Sequence, residues 1–216
     1  MKDIAIYGAG GFGREVQSLI SQLNDKERIF NFVGFFDDGK SKGELVNGFP
    51  VQGGMEALNA WGSPLCLALA IGDPKVKKRV FDGITNPLIS FPSLIHPSVM
   101  TGESRFVRIG DGCIICGGTI ITVNIVIERF VILNLSCTVG HDTQIGAFSS
   151  FMPTVNISGE VNIGEGVYVG TGAKIINQLE IGAWTTVGAG AVVAKSLPAH
   201  CTAVGVPAKP IKFHDV

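Results

Sequence analysis

The stretch ISGEVNIGEGVYVGTGAKIINQLEIGAWTTVGAGAVV (157–193) decides the fold. An aliphatic residue returns every six positions, at Ile157, Ile163, Val169, Ile175, Ile181, Val187 and Val193. Two positions before it stands a small or branched residue, as at Val161, Val167, Ala173, Thr185 and Ala191. One position after it glycine is frequent, as at Gly164, Gly170, Gly182 and Gly188. Toward the N-terminus the same frame runs without a slip through Phe151, Ile145, Val139, Leu133, Ile127, Ile121, Ile115 and Ile109, fifteen positions in all. An amphipathic helix repeats at about 3.6 residues and a half-buried strand at about 2, so neither accounts for six. A parallel β-helix does, each hexad supplying one short strand and a corner, with three hexads closing a triangular coil. The aliphatic and the small residue two before it both point inward, and glycine relaxes the backbone at or beside the corner. Fifteen hexads make about five coils, a prism on the order of 24 Å tall at a strand spacing of ~4.8 Å.

Composition agrees with so repetitive a fold. Glycine supplies 29 of 216 residues, nearly twice the usual share of roughly 7%. Only 16% of residues are charged and 46% are hydrophobic, which excludes a disordered polyelectrolyte. The net charge is −1 and no basic stripe with interleaved aromatics is present, so a nucleic-acid partner has no electrostatic support. No uncharged apolar run is long enough to predict a membrane span. Met1 leads directly into a charged pair and a strand-like run, which predicts no signal peptide. Five cysteines, Cys66, Cys113, Cys116, Cys137 and Cys201, read as reduced thiols of a cytoplasmic protein. Cys113 and Cys137 occupy inward small-residue positions and are core filler. Zinc would need a second ligand pair, so no metal is expected.

Ahead of the repeats, residues 1–92 alternate short strands with helices. IAIY (4–7), NFVGFF (31–36) and LCLALAI (65–71) are buried strands; Val16 to about Leu23, 53–61 and 74–81 are helices, the last starting on Asp73. That is a parallel, Rossmann-like α/β arrangement. Gly8, Gly10 and Gly13 form a G-x-G-x-x-G fingerprint between a strand and a helix. Glycines there let backbone approach a phosphate that the helix N-terminus stabilises, and Asp37 or Asp38 stands where an acid would meet a ribose. The bland reading is that these glycines only permit close helix–strand packing and the acids form a solvated turn. A dinucleotide is disfavoured because a second mononucleotide-binding half is missing. The domains are thus 1–92 for nucleotide-sugar binding, 93–196 for the β-helix and 197–216 for a terminal cap.

Of the four histidines, His96 lies between the halves, and His200 and His214 look like surface groups. His141 sits at a repeat corner two residues past the inward Val139, so its ring points outward. Position alone leaves it either a general base or an ordinary exposed histidine. The hexads near Thr119 and Ile125, and residues 151–160 with Met152 and Ser158, lack the glycine and are candidate sites of active-cleft geometry. Phe148 and Tyr168 are outward apolar residues in need of cover, a weak argument for an oligomer.

The start GAGGFGREV, then FFDD, AIGD, LIHPSV, the segment NLSCTVGHDTQIG and the ending VGVPAKPI together resemble the NeuD/PglD family of sugar acyltransferases. The resemblance covers essentially the whole chain. It implies a left-handed β-helix, a homotrimer with active sites between subunits, and acetyl-CoA as donor. His141 in Gly140-His141-Asp142 matches the catalytic histidine and Asp142 the acid after it, while Asn134 matches an asparagine seven residues earlier. Ser150 replaces a histidine that contacts the donor in the family, a departure at the donor site. Gly159, Thr171 and Ala189 match backbone contacts to coenzyme A. Gly11, Phe12, Gly13, Asp37, Asp38 and Gly72 match positions that hold a uridine nucleotide.

Direct acyl transfer needs a base of suitable pKa and no metal, and imidazole fits. Asp142 would fix its tautomer, and the Gly159 N–H would stabilise the oxyanion. No serine elbow or Cys–His pair points to a covalent route. The expected acceptor is the amine of a UDP-4-amino-sugar in surface glycan synthesis. O-acetylation of sialic acid or another glycan sugar is the alternative, and a non-catalytic scaffold the lesser one. Lys209 and Lys212 could attract donor phosphates.

Overall fold

The computed structural model describes residues 1–214, so Asp215 and Val216 of the terminal segment lie outside the described residues. The chain divides into two compact units, Met1–Pro97 and Ser98–Val216.

In the first unit, β1 (Lys2–Tyr7), α1 (Gly11–Lys26), β2 (Phe30–Phe36), β3 (Leu45–Val46), β4 (Phe49–Gly53), α2 (Met55–Asn59), β5 (Leu65–Leu69), α3 (Pro74–Gly83) and β6 (Ile89–Ser90) follow in order. They form one sheet in the order β3-β4-β2-β1-β5-β6, parallel except for the antiparallel β3–β4 pair. All five residues of β5 are buried, as expected of a strand covered on both faces. Val16, Leu19 and Ile20 turn one side of α1 into the core. Asp73 caps α3, its Oδ1 accepting from the Val76 N–H at 2.9 Å, with Pro74 in the first turn. The β3–β4 hairpin and the edge strand β6 were not expected. Asn47 and Gly48, with φ of 48° and 82°, form the two-residue turn between β3 and β4, and the Asn-Gly pair in LVNGFPV was the available signal.

The second unit is a left-handed parallel β-helix of three faces. The first face carries the strands at 114–115, 132–133, 150–151, 168–169 and 186–187, the second those at 120–121, 138–139, 156–157, 174–175 and 192–193, and the third those at 107–109, 125–127, 144–145, 162–163 and 180–181. Neighbours in each face are eighteen residues apart, as in Ile132↔Ser150, Thr138↔Asn156 and Gln144↔Asn162, so three hexads close one coil. Fourteen of the fifteen repeat aliphatics are buried; Ile109, in the first coil, is half-buried. The hairpin Cys201–Gly205/Ala208–Phe213 extends the first face, pairing Thr202 with Thr186 and Ala203 with Val187.

The corners correct the expected role of glycine. Fourteen successive positions from Gly112 to Gly190, one per hexad, have φ between 56° and 75°. They lie three residues after each aliphatic, and nine of them are not glycine, among them Asn124, Phe130, Asp142, Phe148, Glu160 and Trp184. Left-handed backbone is costly for such residues, so the structure around them must hold it. Coil-to-coil bonds do so: the Asp142 N–H donates to the Val123 carbonyl at 3.0 Å and the Glu160 N–H to that of His141 at 2.7 Å. Gly140, Gly146, Gly164 and Gly170, one residue after the aliphatic, do not have positive φ. A Cβ on any of them would stand 2.5–2.6 Å from backbone of the next coil. Glycine is there for close approach between coils, not for turning the chain.

Phe148 also departs from expectation. It is 1% exposed, stacked on Phe130 with ring centroids 5.1 Å apart and with the Arg129 guanidinium over its face at 5.6 Å. Phe130 itself lies where a Cβ of Gly112 would be, and Trp184 lies likewise over Gly166. Phe130 and Phe148 are therefore covered within the chain, and Trp184 is half-buried. Tyr168 is half-buried. His214 is no free surface group, its Nε2 being 2.8 Å from the Thr202 hydroxyl.

Candidate active site

His141 and Asp142 occupy the corner between the second and third faces, between the strands Thr138–Val139 and Gln144–Ile145. Asp142 takes the left-handed position of that corner, with φ of 57°, which sets its side chain beside the preceding residue. His141 Nδ1 lies 2.8 Å from Asp142 Oδ2. Asp142 Oδ1 accepts from the Asn124 side-chain amide at 2.9 Å. These two bonds, Asn124 first and His141 second, hold the Asp142 carboxyl below the usual carboxylate range. An ionised Asp142 can only accept, so it takes a hydrogen bond from Nδ1–H and leaves Nε2 as the nitrogen with the free lone pair. The pair is half-exposed and open to a reactant.

Gly159 is on the same corner, one coil on. A Cβ there would lie 2.4 Å from His141 Nε2 and 2.6 Å from Cε1, so the imidazole fills the space a side chain would take. Segment 151–160 keeps the coil register in spite of its departure from the glycine pattern, and it contains the residue on which the histidine rests. Asn124 was missed from the sequence. Its spacing of eighteen from Asp142 was the available signal, because one coil separates the two.

Other expected residues lie elsewhere on the prism. Asn134, Thr171 and Ala189 share the corner between the first and second faces, and Ala189 stacks one coil above Thr171. Asn134 is 6% exposed; its Oδ1 accepts from the Leu135 N–H at 2.7 Å. Ser150 is a strand residue of the first face and is wholly buried, so its hydroxyl presents no surface in the single chain. Lys209 and Lys212 are exposed on the terminal hairpin. Among the described residues no group of three or more His, Cys, Asp or Glu side chains is placed to hold a metal ion, and no helix is long and apolar enough to cross a membrane.

The first unit gathers its set at the carboxyl ends of β1, β2 and β5, where β1 joins β2 on one side and β5 on the other. Ligands of open α/β sheets bind outside the strands at such a switch point. Gly8, with φ of 103°, and Gly13 are demanded by packing: a Cβ on Gly8 would be 2.9 Å from the Ala70 carbonyl oxygen, and one on Gly13 1.9 Å from that of Gly8. Gly10 and Gly11 are different, since a Cβ on either meets nothing within 4 Å. They cap and open α1, and the N–H groups of Gly11, Phe12 and Gly13 begin that helix without intrahelical acceptors. The bland reading holds for Gly8 and Gly13 of the fingerprint; Gly10, with Gly11 beside it, borders open space at the helix N-terminus, where an anion would be stabilised.

Asp37 and Asp38 are not merely a solvated turn. Asp37 Oδ2 accepts from the Ala9 N–H at 2.7 Å and Oδ1 from that of Gly39 at 2.8 Å. Asp38 accepts from the Tyr7 hydroxyl at 2.5 Å and the Met55 N–H at 2.8 Å. Burial, then the bond to Asp38 and the charge of both acids, pushes the Tyr7 phenol well above its ordinary range. Asp37 thus braces the turn before α1 through Ala9, while Asp38 ties the end of β1 to the start of α2. Gly72 follows β5, immediately before the Asp73 cap.

Comparisons with known proteins match both units. A family profile described as the PglD N-terminal domain matches residues 3–84, and one described as bacterial transferase hexapeptide (six repeats) matches residues 160–195. The chain is 34% identical over 213 residues to GDP-perosamine N-acetyltransferase of Escherichia coli O157:H7, covering 96% of this chain and 95% of that protein. The acetyltransferase domain of PglB from Neisseria gonorrhoeae, solved with acetyl coenzyme A, superposes with a TM-score of 0.86 at 33% identity, covering 97% of this chain and 99% of that one. PerB from Caulobacter crescentus, solved with CoA and GDP-perosamine, superposes at 0.82 with 31% identity and covers 98% of both chains.

Proposed function

This chain belongs to the NeuD/PglD family of hexapeptide-repeat sugar acyltransferases, and we propose that it moves the acetyl group of acetyl-CoA to the amine of a nucleotide-linked aminosugar with His141 as general base. One observation carries the role of His141: its Nδ1 is tied to an ionised carboxylate while Nε2 is bare and rests on Gly159. The acceptor amine attacks the thioester carbonyl as Nε2 takes its proton. The new C–N bond forms, the C–S bond breaks, and the imidazolium returns its proton to the departing thiolate. Gly159, against the base, is the backbone donor proposed for the developing oxyanion.

Gly11, Phe12, Gly13, Asp37, Asp38 and Gly72 are proposed to hold the nucleotide, its phosphates on the N-terminus of α1. Relatives that take GDP-perosamine support a nucleotide-linked amine and broaden the choice of base beyond uridine. Thr171 and Ala189 are proposed on the donor side and Asn134, on the same corner, on the acceptor side; Ser150, wholly buried, can meet the donor only if its surroundings move. Since Asn134, Thr171 and Ala189 lie on a different prism corner from His141, a donor along one copy would meet the histidine of another, which supports a trimer with shared sites. Met100 and Ile120, 65% and 39% exposed on the face between those corners, are apolar and suited to such a contact.

The test is an acetyl-transfer assay with acetyl-CoA across GDP-, UDP- and dTDP-linked 4-aminosugars, with free sialic acid as the O-acceptor. Amide formation on one nucleotide aminosugar is expected, and O-acetyl product alone would overturn the reading. His141→Ala is expected to lower kcat by ~10²–10⁴.

A further inference from the structure

We infer that Asn124 is a positioning residue for the transfer, holding Asp142 in the orientation in which its other oxygen grips His141. The inference rests on the reading of His141 as base. Asn124 and Asp142 occupy the same left-handed corner position on successive coils, with φ of 58° and 57°. That stacking brings the Asn124 amide to 2.9 Å from Asp142 Oδ1 while Oδ2 stands 2.8 Å from His141 Nδ1. A carboxylate only accepts, so the nitrogen of the Asn124 amide must face it.

The column continues with Glu160 and Gln178, whose φ values are 57° and 61°. Glu160 therefore sits one coil beyond Asp142, a second acid on the same edge. Its Oε2 accepts from the Gln178 amide at 3.2 Å. Each acid thus has an amide donor on the side away from the other acid. Without Asn124 no amide in this column fixes Asp142 Oδ1, and the carboxylate can rotate off Nδ1. The histidine would then sample both neutral tautomers, and the one carrying its proton on Nε2 cannot act as base.

The test compares Asn124→Gly, which suits left-handed backbone, and Asn124→Asp, which keeps the shape but offers no donor, with His141→Ala, Asp142→Ala and the Asn124→Gly/Asp142→Ala double variant. The first readout needs no acceptor: nitrogen NMR shifts of the His141 ring. Wild type is expected to show one tautomer protonated at Nδ1, and both Asn124 variants a mixture. With GDP-perosamine and acetyl-CoA, or the acceptor the panel identifies, Asn124→Gly is expected to lower kcat ~3–30-fold with both KM values within about twofold. The double variant is expected to match Asp142→Ala. An unchanged tautomer in both Asn124 variants, or the same fold-loss in the Asp142→Ala background, overturns the inference. If His141→Ala keeps full kcat, the reading of the base fails instead.

Discussion

A methyl group added to Gly140, Gly146, Gly164 or Gly170 in the β-helix would land 2.5–2.6 Å from backbone of the next coil, whereas one added to Gly10 or Gly11 in the α/β unit meets nothing within 4 Å. The residue type is the same and the reason for it is opposite. In the helix, glycine is required by the protein's own interior, where coils approach too closely for a side chain. At the start of α1 the protein makes no such demand, and the room that glycine leaves is available to another molecule. Gly13 shows that position within a motif does not settle the matter, since it belongs to the G-x-G-x-x-G fingerprint yet gives its space to the Gly8 carbonyl.

The largest expected effect tests the β-helix interior. Ile163 is 2% exposed in a column with Ile145 and Ile181. Ile163→Asp is expected to lower stability by ~3–5 kcal/mol, through a lost aliphatic and a buried charge. A urea midpoint equal to wild type would show that the column is not a dry core.

Next comes the contrast between glycines. Gly146→Ala, whose methyl would stand 2.5 Å from the Gly164 carbonyl carbon, is expected to cost ~1–3 kcal/mol in the same titration. Gly11→Ala is expected to leave stability within ~0.5 kcal/mol. If the start of α1 receives phosphate, calorimetry should nevertheless show the nucleotide sugar binding at least ~10-fold more weakly, because the added methyl occupies the approach. Binding as tight as wild type would make the openness at Gly11 incidental.

The smallest effect is a pH dependence within the β-helix. Burial pushes the Cys137 thiol up to about 11, against weaker lowering by hydrogen bonds from the Val155 and Asn134 backbone. An acid whose folded pKa is raised keeps its proton longer when folded, so its contribution to stability is full at lower pH and is lost as pH rises. The unfolding free energy is therefore expected to fall between pH 9 and 11. Cys137→Ala should flatten that window, and an equally steep decline in the variant would assign it to other groups.

Much of this was open to reading because the repeat is strict. A period of six, held over fifteen positions, admits no helix or simple sheet, and the inward residues can be named from spacing. The β1, β2 and β5 strands and their helices were legible for a similar reason, being short apolar runs between turn signals. The hairpin at Leu45–Gly53 was missed because its two-residue strand is shorter than any apolar pattern. Asn124 was missed because an exposed polar residue has no periodic signature until the coil length of eighteen is applied to side-chain partners. Phe148 looked outward and unpartnered for the same reason, its cover being Phe130 one coil away.

Sequence by itself determined which residues line the β-helix, since inward placement follows from period alone. It also determined that His141 sits at a corner and that a glycine-rich turn precedes α1. Only the tertiary structure decided which glycines pack against the chain's own backbone and which leave open space, because that distance is set between segments remote in sequence. It also decided which nitrogen of His141 is left bare. Asp142 reaches Nδ1 from the next position in the chain, but stacking one coil on another puts the Asn124 amide against Asp142 and Gly159 against Nε2. Asn124, the His141–Asp142 pair and Gly159 lie in three successive coils, and no local pattern brings the three together.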